Sequence, residues 1–355
     1  MSLTPVFKIL AQEGCNTYIV GCPNTRKALV IDPKVGGEQS YAFALEAYDL
    51  ELSAVLDTHT HADHLSASSR LAGGAALLYM SRHTGVKREK HALAQGDTLS
   101  VGDLRFEVRE VPGHTADSIA IIGHGCAFTG DSLFVGGLAR ADFRGSDPAQ
   151  LFESVQRELM PLPPETLVFP GHGYNGILFS TIGHEAQHNP ALQHADGAAY
   201  AKELGAVEGA GNTPAVDQML SLNAQANPEL PSAPPNAAAC GAASAGGGLE
   251  IAEIEPERIG AVHDSIDSSA QWVDVRDPHE WRAAHIANTT HIPLSELGFH
   301  LDALRSEAPL YISCRSGMRS MTAARTLKRL GVAQEPVNIG GGILAWQSQG
   351  LPVVR

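Results

Sequence analysis

Residues 57–66, DTHTHADHLS, follow directly on the apolar run at 52–56 and hold three histidines and two aspartates. A strand that runs out of a core into such a cluster constrains the whole fold. Imidazoles and carboxylates at a strand end must find partners or a metal if they are to be buried. His59 and His61 are two residues apart, so on an extended segment they point to the same side. Asp63 and His64 follow where the chain turns into the next helix. Three more groups recur downstream, each after a strand-like run and beside a glycine: His114 in VPGHTADS, Asp131 in FTGDSLF and His172 in FPGHGYNG. Loop ends at one edge of a sheet are where α/β sites assemble. Neutral imidazole and carboxylate are ligands for zinc or iron.

The pattern around these groups predicts short strands at residues 6–10, 17–20, 28–31, 52–56, 104–111, 119–122 and 167–169. Helices are predicted at 38–48 and 148–159. Toward the C-terminus, strands are expected at 272–275 and 310–313, and helices at 279–284 and 317–330. Such alternation of strands and helices predicts a layered α/β architecture. A chain of 355 residues exceeds one ordinary core, so two domains are expected. The tract at 233–248, APPNAAACGAASAGGG, has almost no large apolar residue and reads as a linker. Domains are therefore expected at 1–232 and 250–355, with residues 233–249 between them.

The formal net charge of −14 disfavours nucleic acid and anionic membrane surfaces as partners. The start, MSLTPVFKIL, lacks a basic region followed by a long apolar run, so no signal peptide is expected. No apolar stretch is long enough for a transmembrane helix. The five cysteines are scattered with no C-x-x-C pair, which points to a reducing, cytoplasmic setting rather than a disulfide framework. The oligomeric state stays open, a homo-oligomer included.

The order HTHADH, PGHT, TGDSLF, PGHGY resembles the metallo-β-lactamase superfamily over residues 1–190. That resemblance implies an αββα sandwich with a metal site at one edge. All seven residues of the two-metal pattern are present, so the ligand set leaves both two-metal hydrolases and one-iron dioxygenases open. Other residues discriminate. Arg140 to Phe143, Arg-x-Asp-Phe, resembles the persulfide dioxygenase (sulfur dioxygenase) family, as does His-x-His-Ala-Asp-His with Thr60 at its middle. Glyoxalase II tends to have histidine there, and it carries a C-terminal helical domain for which this chain has too few residues. The dioxygenase resemblance implies one Fe(II) per chain on His59, His114 and Asp131, a face that leaves positions open for oxygen and substrate. His61, Asp63, His64 and His172 would stand behind these ligands and orient them and water by hydrogen bonds. It implies oxidation of glutathione persulfide by O2 to sulfite and glutathione. Arg140 and Tyr174 would meet the carboxylates of glutathione. Where that family often reads Asn-Pro-Arg, this chain has Asn189, Pro190, Ala191.

A second constellation is LYISCRSGMRS at 310–320. A β-rich run ends at Cys314, and a helix-like segment with Arg315 and Arg319 follows. Free backbone N–H groups and positive charge there favour a thiolate. The stretch resembles the rhodanese active loop, over about residues 250–355. Asp274-Val-Arg276, His285-Ile286, His291-Ile292-Pro293, Gly340-Gly341-Gly342 and Trp346 support it. Cysteine-dependent phosphatases place five residues between cysteine and arginine, whereas here there are four, a loop better suited to sulfur on cysteine than to bound phosphate. The resemblance implies an α/β domain with a parallel sheet. Cys314 would cycle through a persulfide, and Arg315 and Arg319 would hold an anion such as thiosulfate.

Both halves share sulfane sulfur. A sulfurtransferase can make glutathione persulfide from thiosulfate and glutathione, and a dioxygenase can consume it. The reverse transfer, to sulfite, would make thiosulfate. Two other readings stay open: a dizinc thioester hydrolase fused to a rhodanese, and a non-enzymatic sulfur-relay module whose N-terminal domain only docks a partner.

Overall fold

The computed structural model describes residues 3–72, 74–205, 211–225, 249–260, 270–305, 309–333 and 335–355. Apart from Leu249, the expected linker at 233–249 lies outside these residues. The chain divides into two compact units, Met1–Tyr174 with Phe179–Ala245, and Gly246–Arg355 with Asn175–Leu178.

The first unit opens with β1 (Val6–Gln12), β2 (Cys15–Gly21), β3 (Lys27–Ile31), β4 (Glu51–Leu56), β5 (Leu77–Ser81) and β6 (His91–Leu93), side by side in that order. The first three run antiparallel and the rest parallel. A second sheet contains β7 (Thr98–Val101), β8 (Leu104–Glu110), β9 (Ile119–Gly123) and β10 (Cys126–Gly130). After a hairpin of β11 (Leu133–Phe134) and β12 (Gly137–Leu138), the sheet is completed by β13 (Leu167–Pro170) and β14 (Ser180–Thr181). Its spatial order is β14-β13-β10-β9-β8-β7. The two sheets pack face to face through aromatic rings. Phe7 of β1 lies 4.7 Å from Phe169 of β13, and Tyr18 of β2 lies 5.3 Å from Phe128 of β10.

Local sequence explains the layers. β8 alternates buried and exposed residues, as a strand with one face on a core does. β2 is buried at every position, because it lies between the sandwich interior and a helical layer. Helices α1 (Glu38–Ala47) and α2 (Ser68–Leu71) cover the first sheet. Helices α3 (Pro148–Glu158), α4 (Ile182–His188) and α5 (Gly197–Leu204) belong to the second. The start of α3 is set by Asp147, whose carboxylate accepts the Ala149 and Gln150 N–H groups, with Pro148 at the first position. Its Leu151, Phe152 and Val155 then face the core. Helix α6 (Pro214–Asn223) completes the unit among the described residues. This is the expected αββα sandwich. The strands β5, β6, β7, β11, β12 and β14 went unforeseen; they are short and carry little periodic signal.

The second unit holds a parallel sheet of β15 (Ala252–Ile254), β16 (Gln271–Asp274), β17 (Thr290–His291), β18 (Leu310–Ser313) and β19 (Val337–Ile339), in the order β15-β19-β18-β16-β17. Its helices include α7 (Pro278–Ala283), α8 (Leu301–Leu304), α9 (Met318–Arg329) and α10 (Gly342–Ser348). Ile259, Ile286, Ile339, Ile343 and Trp346 form its core.

Candidate metal centre and cysteine loop

The metal-ligand candidates leave the two sheets at the ends of β4, β8, β10 and β13. Asp32, just after β3, sits behind the first loop. Its carboxylate accepts the Thr58 backbone N–H at 2.7 Å and the Thr58 hydroxyl at 2.8 Å. With that proton engaged, the Thr58 oxygen accepts from His59 Nδ1 at 3.0 Å. The lone pair of His59 is then on Nε2, which is buried without a hydrogen-bond partner. His114 is fixed in the same way. Its Nδ1 donates to the Arg140 backbone carbonyl at 2.8 Å, and its Nε2 is also buried and unpartnered. Such a bond behind the ring sets both tautomer and orientation. The two Nε2 atoms lie 3.8 Å and 3.7 Å from the same Asp131 oxygen.

Three donors of this kind suit one divalent metal. Bonds of about 2.0–2.2 Å place donors about 3–4 Å apart, which is the spacing here. Burial and the neighbouring His61 push His59 down to about 3, and burial lowers His114, so both rings are neutral and able to donate a lone pair. Burial alone would raise Asp131, but His172, hydrogen-bonded to it at 3.1 Å, outweighs that and lowers it, so the carboxyl stays ionised.

The other four candidates separate from this group. His172 Nε2 lies 3.1 Å from Asp131 Oδ2 and 3.4 Å from Asp63 Oδ2. His64 Nδ1 is 3.1 Å from Asp63, which, against the cost of burial, lifts His64 to about 10. His61 faces Asp32 and Asp57, with its Nε2 3.4 Å and 3.9 Å from their carboxylates. Asp63, Asp131 and His172 form a second group of potential donors beside the first, sharing Asp131. Three participants were missed by the sequence reading. Asp32 and Thr58 are the supports of His59. Cys15 donates from Sγ to Asp63 at 3.4 Å. A positive φ of 50° at a non-glycine marks Asp32 in the structure, and the carboxylate closing the strand ALVID was its trace in sequence.

The glycines beside the candidates have a steric reason. A Cβ on Gly130 would come within 2.4 Å of Thr58 Oγ1, and one on Gly171 within 2.3 Å of Asp131 Oδ1. Only a bare backbone lets these loops close on each other. β2 braces the His172 loop from the other sheet, through Asn16 and Tyr18 donating to the Pro170 carbonyl.

Of the expected substrate contacts, Tyr174 stacks on His172 with centroids 5.7 Å apart. The Arg140 guanidinium is already engaged. It donates to Asp142 at 2.7 Å and to the Gly211 carbonyl at 3.2 Å. The Arg-x-Asp pattern is thus an ion pair, and the backbone of Arg140 is what reaches the metal group.

In the second unit Cys314 ends β18 and is buried. Its sulfur accepts from the Gly317 N–H at 3.1 Å and the Ser320 hydroxyl at 3.3 Å. The carbonyls of Cys314 and Arg315 turn the other way and accept from Ile343 and Leu344, at 2.8 Å and 3.2 Å. Donors therefore face the sulfur and acceptors face away. Arg315 stands exposed. Arg319 is paired bidentately with Glu280 at 2.6 Å and 2.8 Å, so its charge is already balanced. Asp274 and Arg276 form a buried pair that fixes the end of β16.

Gly342 makes the close contact of α10 with this loop feasible. Its φ is +56°, and a Cβ would lie 2.3 Å from the Cys314 carbonyl oxygen and 2.7 Å from the Arg315 carbonyl carbon. Gly342→Ala must shift the loop, and a displacement of about 1 Å can cost about 100-fold in rate. We expect a loss of that order in the rate at which iodoacetamide alkylates Cys314, with metal content unchanged. Alkylation at the wild-type rate would show that the loop tolerates the shift.

The comparisons with known proteins follow this division. The rhodanese-like domain model matches residues 260–349, and the metallo-beta-lactamase superfamily model matches residues 79–172. The chain is 34% identical over 182 residues to mitochondrial persulfide dioxygenase ETHE1 of Bos taurus, covering 50% of this chain and 70% of that protein. It is 38% identical over 167 residues to a hydroxyacylglutathione hydrolase of Aeromonas hydrophila, covering 45% of this chain and 62% of that one. The crystal structure of ETHE1 from Myxococcus xanthus superposes with a TM-score of 0.57 at 34% identity, covering 62% of this chain and 96% of that one.

Proposed function

The chain belongs to the persulfide dioxygenase family, with a rhodanese-like domain after the metallo-β-lactamase fold, and we propose that it is a bifunctional enzyme of sulfane-sulfur metabolism. Its first unit would oxidise glutathione persulfide with O2 to sulfite and glutathione. Its second would exchange sulfur between thiosulfate and glutathione. The observation that carries the first half is the convergence of two unpartnered buried imidazole nitrogens on Asp131. His59, His114 and Asp131 would hold one Fe(II), which supplies the electronic means for triplet O2 to react with a closed-shell persulfide. This chain's residues do the rest. Thr58 and the Arg140 carbonyl keep each imidazole in the ligand tautomer. His172, 3.1 Å from Asp131, holds the orientation of that carboxylate. Tyr174, stacked on His172, is the substrate contact we assign beside the metal group, since the Arg140 guanidinium is held by Asp142.

In the second unit the Cys314 thiolate attacks the outer sulfur of thiosulfate. The S–S bond breaks, sulfite leaves, and Cys314 carries a persulfide. A glutathione thiolate then attacks that outer sulfur, which releases glutathione persulfide and regenerates Cys314. Gly317 N–H and the Ser320 hydroxyl stabilise the thiolate at the start and at the end. With Arg319 balanced by Glu280, Arg315 is the cation we assign to the donor anion. Cys15, Cys22, Cys126 and Cys314 are all free, and we place the protein in a reducing compartment, the cytoplasm. Among the described residues no helix is long and apolar enough to cross a membrane.

Metal analysis combined with O2 uptake on glutathione persulfide tests this reading. One iron per chain and sulfite formed as O2 is consumed are expected. Two zincs per chain, with thioester hydrolysis and no O2 uptake, would replace it with the hydrolase reading that the adjoining Asp63–Asp131–His172 group keeps open.

A further inference from the structure

Helix α6 ends at Asn223, far along the chain from the metal-ligand loop, yet its side chain is buried inside that loop. Nδ2 donates to the backbone carbonyls of His61 and His64, each at 2.8 Å. Oδ1 accepts the Ser66 backbone N–H at 3.0 Å. One amide thus satisfies three backbone groups across the turn that carries Asp63 and His64 and leads back to His59. The main chain around Asn223 is tied down as well. Arg88 donates from Nη2 to the Asn223 carbonyl at 2.5 Å and from Nη1 to Ser68 at 3.0 Å. Ser66 and Ser68 in turn donate to Asp57 at the root of the loop. The Lys87 N–H bonds the Ala224 carbonyl at 3.0 Å. α6 itself is seated by its Thr213 cap and by buried Val216 and Met219.

We propose that Asn223 is a positioning residue for the metal centre, closing the ligand loop from the far end of the domain. The inference rests on the reading of His59, His114 and Asp131 as ligands. The chemistry is selective. Two donors and one acceptor at this length are what an asparagine amide offers, whereas aspartate has no donor and alanine has neither. Without the amide, two buried carbonyls lose their partners and the turn must open to find water. His59 and Asp63 then lose their fixed direction toward Asp131.

The test uses Co(II) as probe on metal-free full-length protein, with affinity read from its ligand-field absorption. Residues that orient metal ligands typically contribute 10- to 100-fold in affinity, and at least about tenfold weaker binding is expected for Asn223→Ala and Asn223→Asp. Asn223→Ser, which can keep one bond, should fall between these and wild type, and it keeps the test open if the others fold poorly. Leu99→Ala, in the core at the edge strand β7, supplies a destabilised chain with the loop untouched. Affinity within about twofold of wild type in the Asn223 variants, or an equal loss in Leu99→Ala, overturns the proposal, since additivity errors for independent sites are of that size. Wild-type protein that binds no Co(II) would instead overturn the ligand reading itself.

Discussion

Cys314→Ser is expected to reduce O2 uptake from thiosulfate plus glutathione to background, while uptake from supplied glutathione persulfide continues. A serine hydroxyl cannot hold a sulfane sulfur, so transfer through this loop stops. The exchange is one atom in a site where the sulfur accepts two hydrogen bonds, and a hydroxyl oxygen can accept the same pair. Folding should survive it. His59, His114 and Asp131 belong to the other compact unit. Their activity on supplied persulfide should stay within about twofold of wild type, as for independent sites. The oxygen electrode reads both arms on one preparation. If the variant still takes up O2 from thiosulfate, the rhodanese domain is not the supplier of persulfide. If it loses uptake on supplied persulfide, Cys314 takes part in the oxygen chemistry, and the two sites act as one.

His114→Ala is expected to remove the metal and all O2 uptake. The ring is fully buried and would contribute one of the three proposed donors, with its other nitrogen committed to the Arg140 carbonyl. Losing a direct ligand must exceed the 10- to 100-fold typical of residues behind the ligands. Thiosulfate:glutathione transfer at Cys314, in the other compact unit, should persist, and the circular dichroism of the variant should match wild type if the first unit is folded. Asp63→Ala and His172→Ala should keep most of the metal, because in the one-metal reading they only bear on Asp131 and its surroundings. Iron counted per chain in the three variants decides the matter. Equal loss in all three would mean that Asp63, Asp131 and His172 hold a second metal.

How much of this was legible beforehand can be followed residue by residue. The sequence by itself determined the layered α/β class of both halves, because strand and helix periodicity is a local signal; the αββα sandwich and the parallel C-terminal sheet followed from the family resemblance of the motifs. The sequence also marked His59, His61, Asp63, His64, His114, Asp131 and His172 as ligand candidates and Cys314 as a candidate nucleophile, since each sits in a short motif whose residue types suit that chemistry; the choice of His59, His114 and Asp131 among the seven came from the family resemblance. Tertiary structure decided which candidates meet. His61 shares a strand-like face with His59 in sequence, yet packs toward Asp32 and Asp57, because the loop bends after Thr58 is captured by Asp32. Arg140 looked like an open cation and is balanced by Asp142, and Arg319 by Glu280. Asp32, Thr58 and Asn223 were invisible as site residues, and for Asn223 the reason is plain. Its partners lie more than 150 positions away, and a hydrogen bond to a backbone carbonyl leaves no mark in the residue that provides it. Local pattern names the groups able to do chemistry; only the packing of distant segments decides how each lone pair and each charge is engaged.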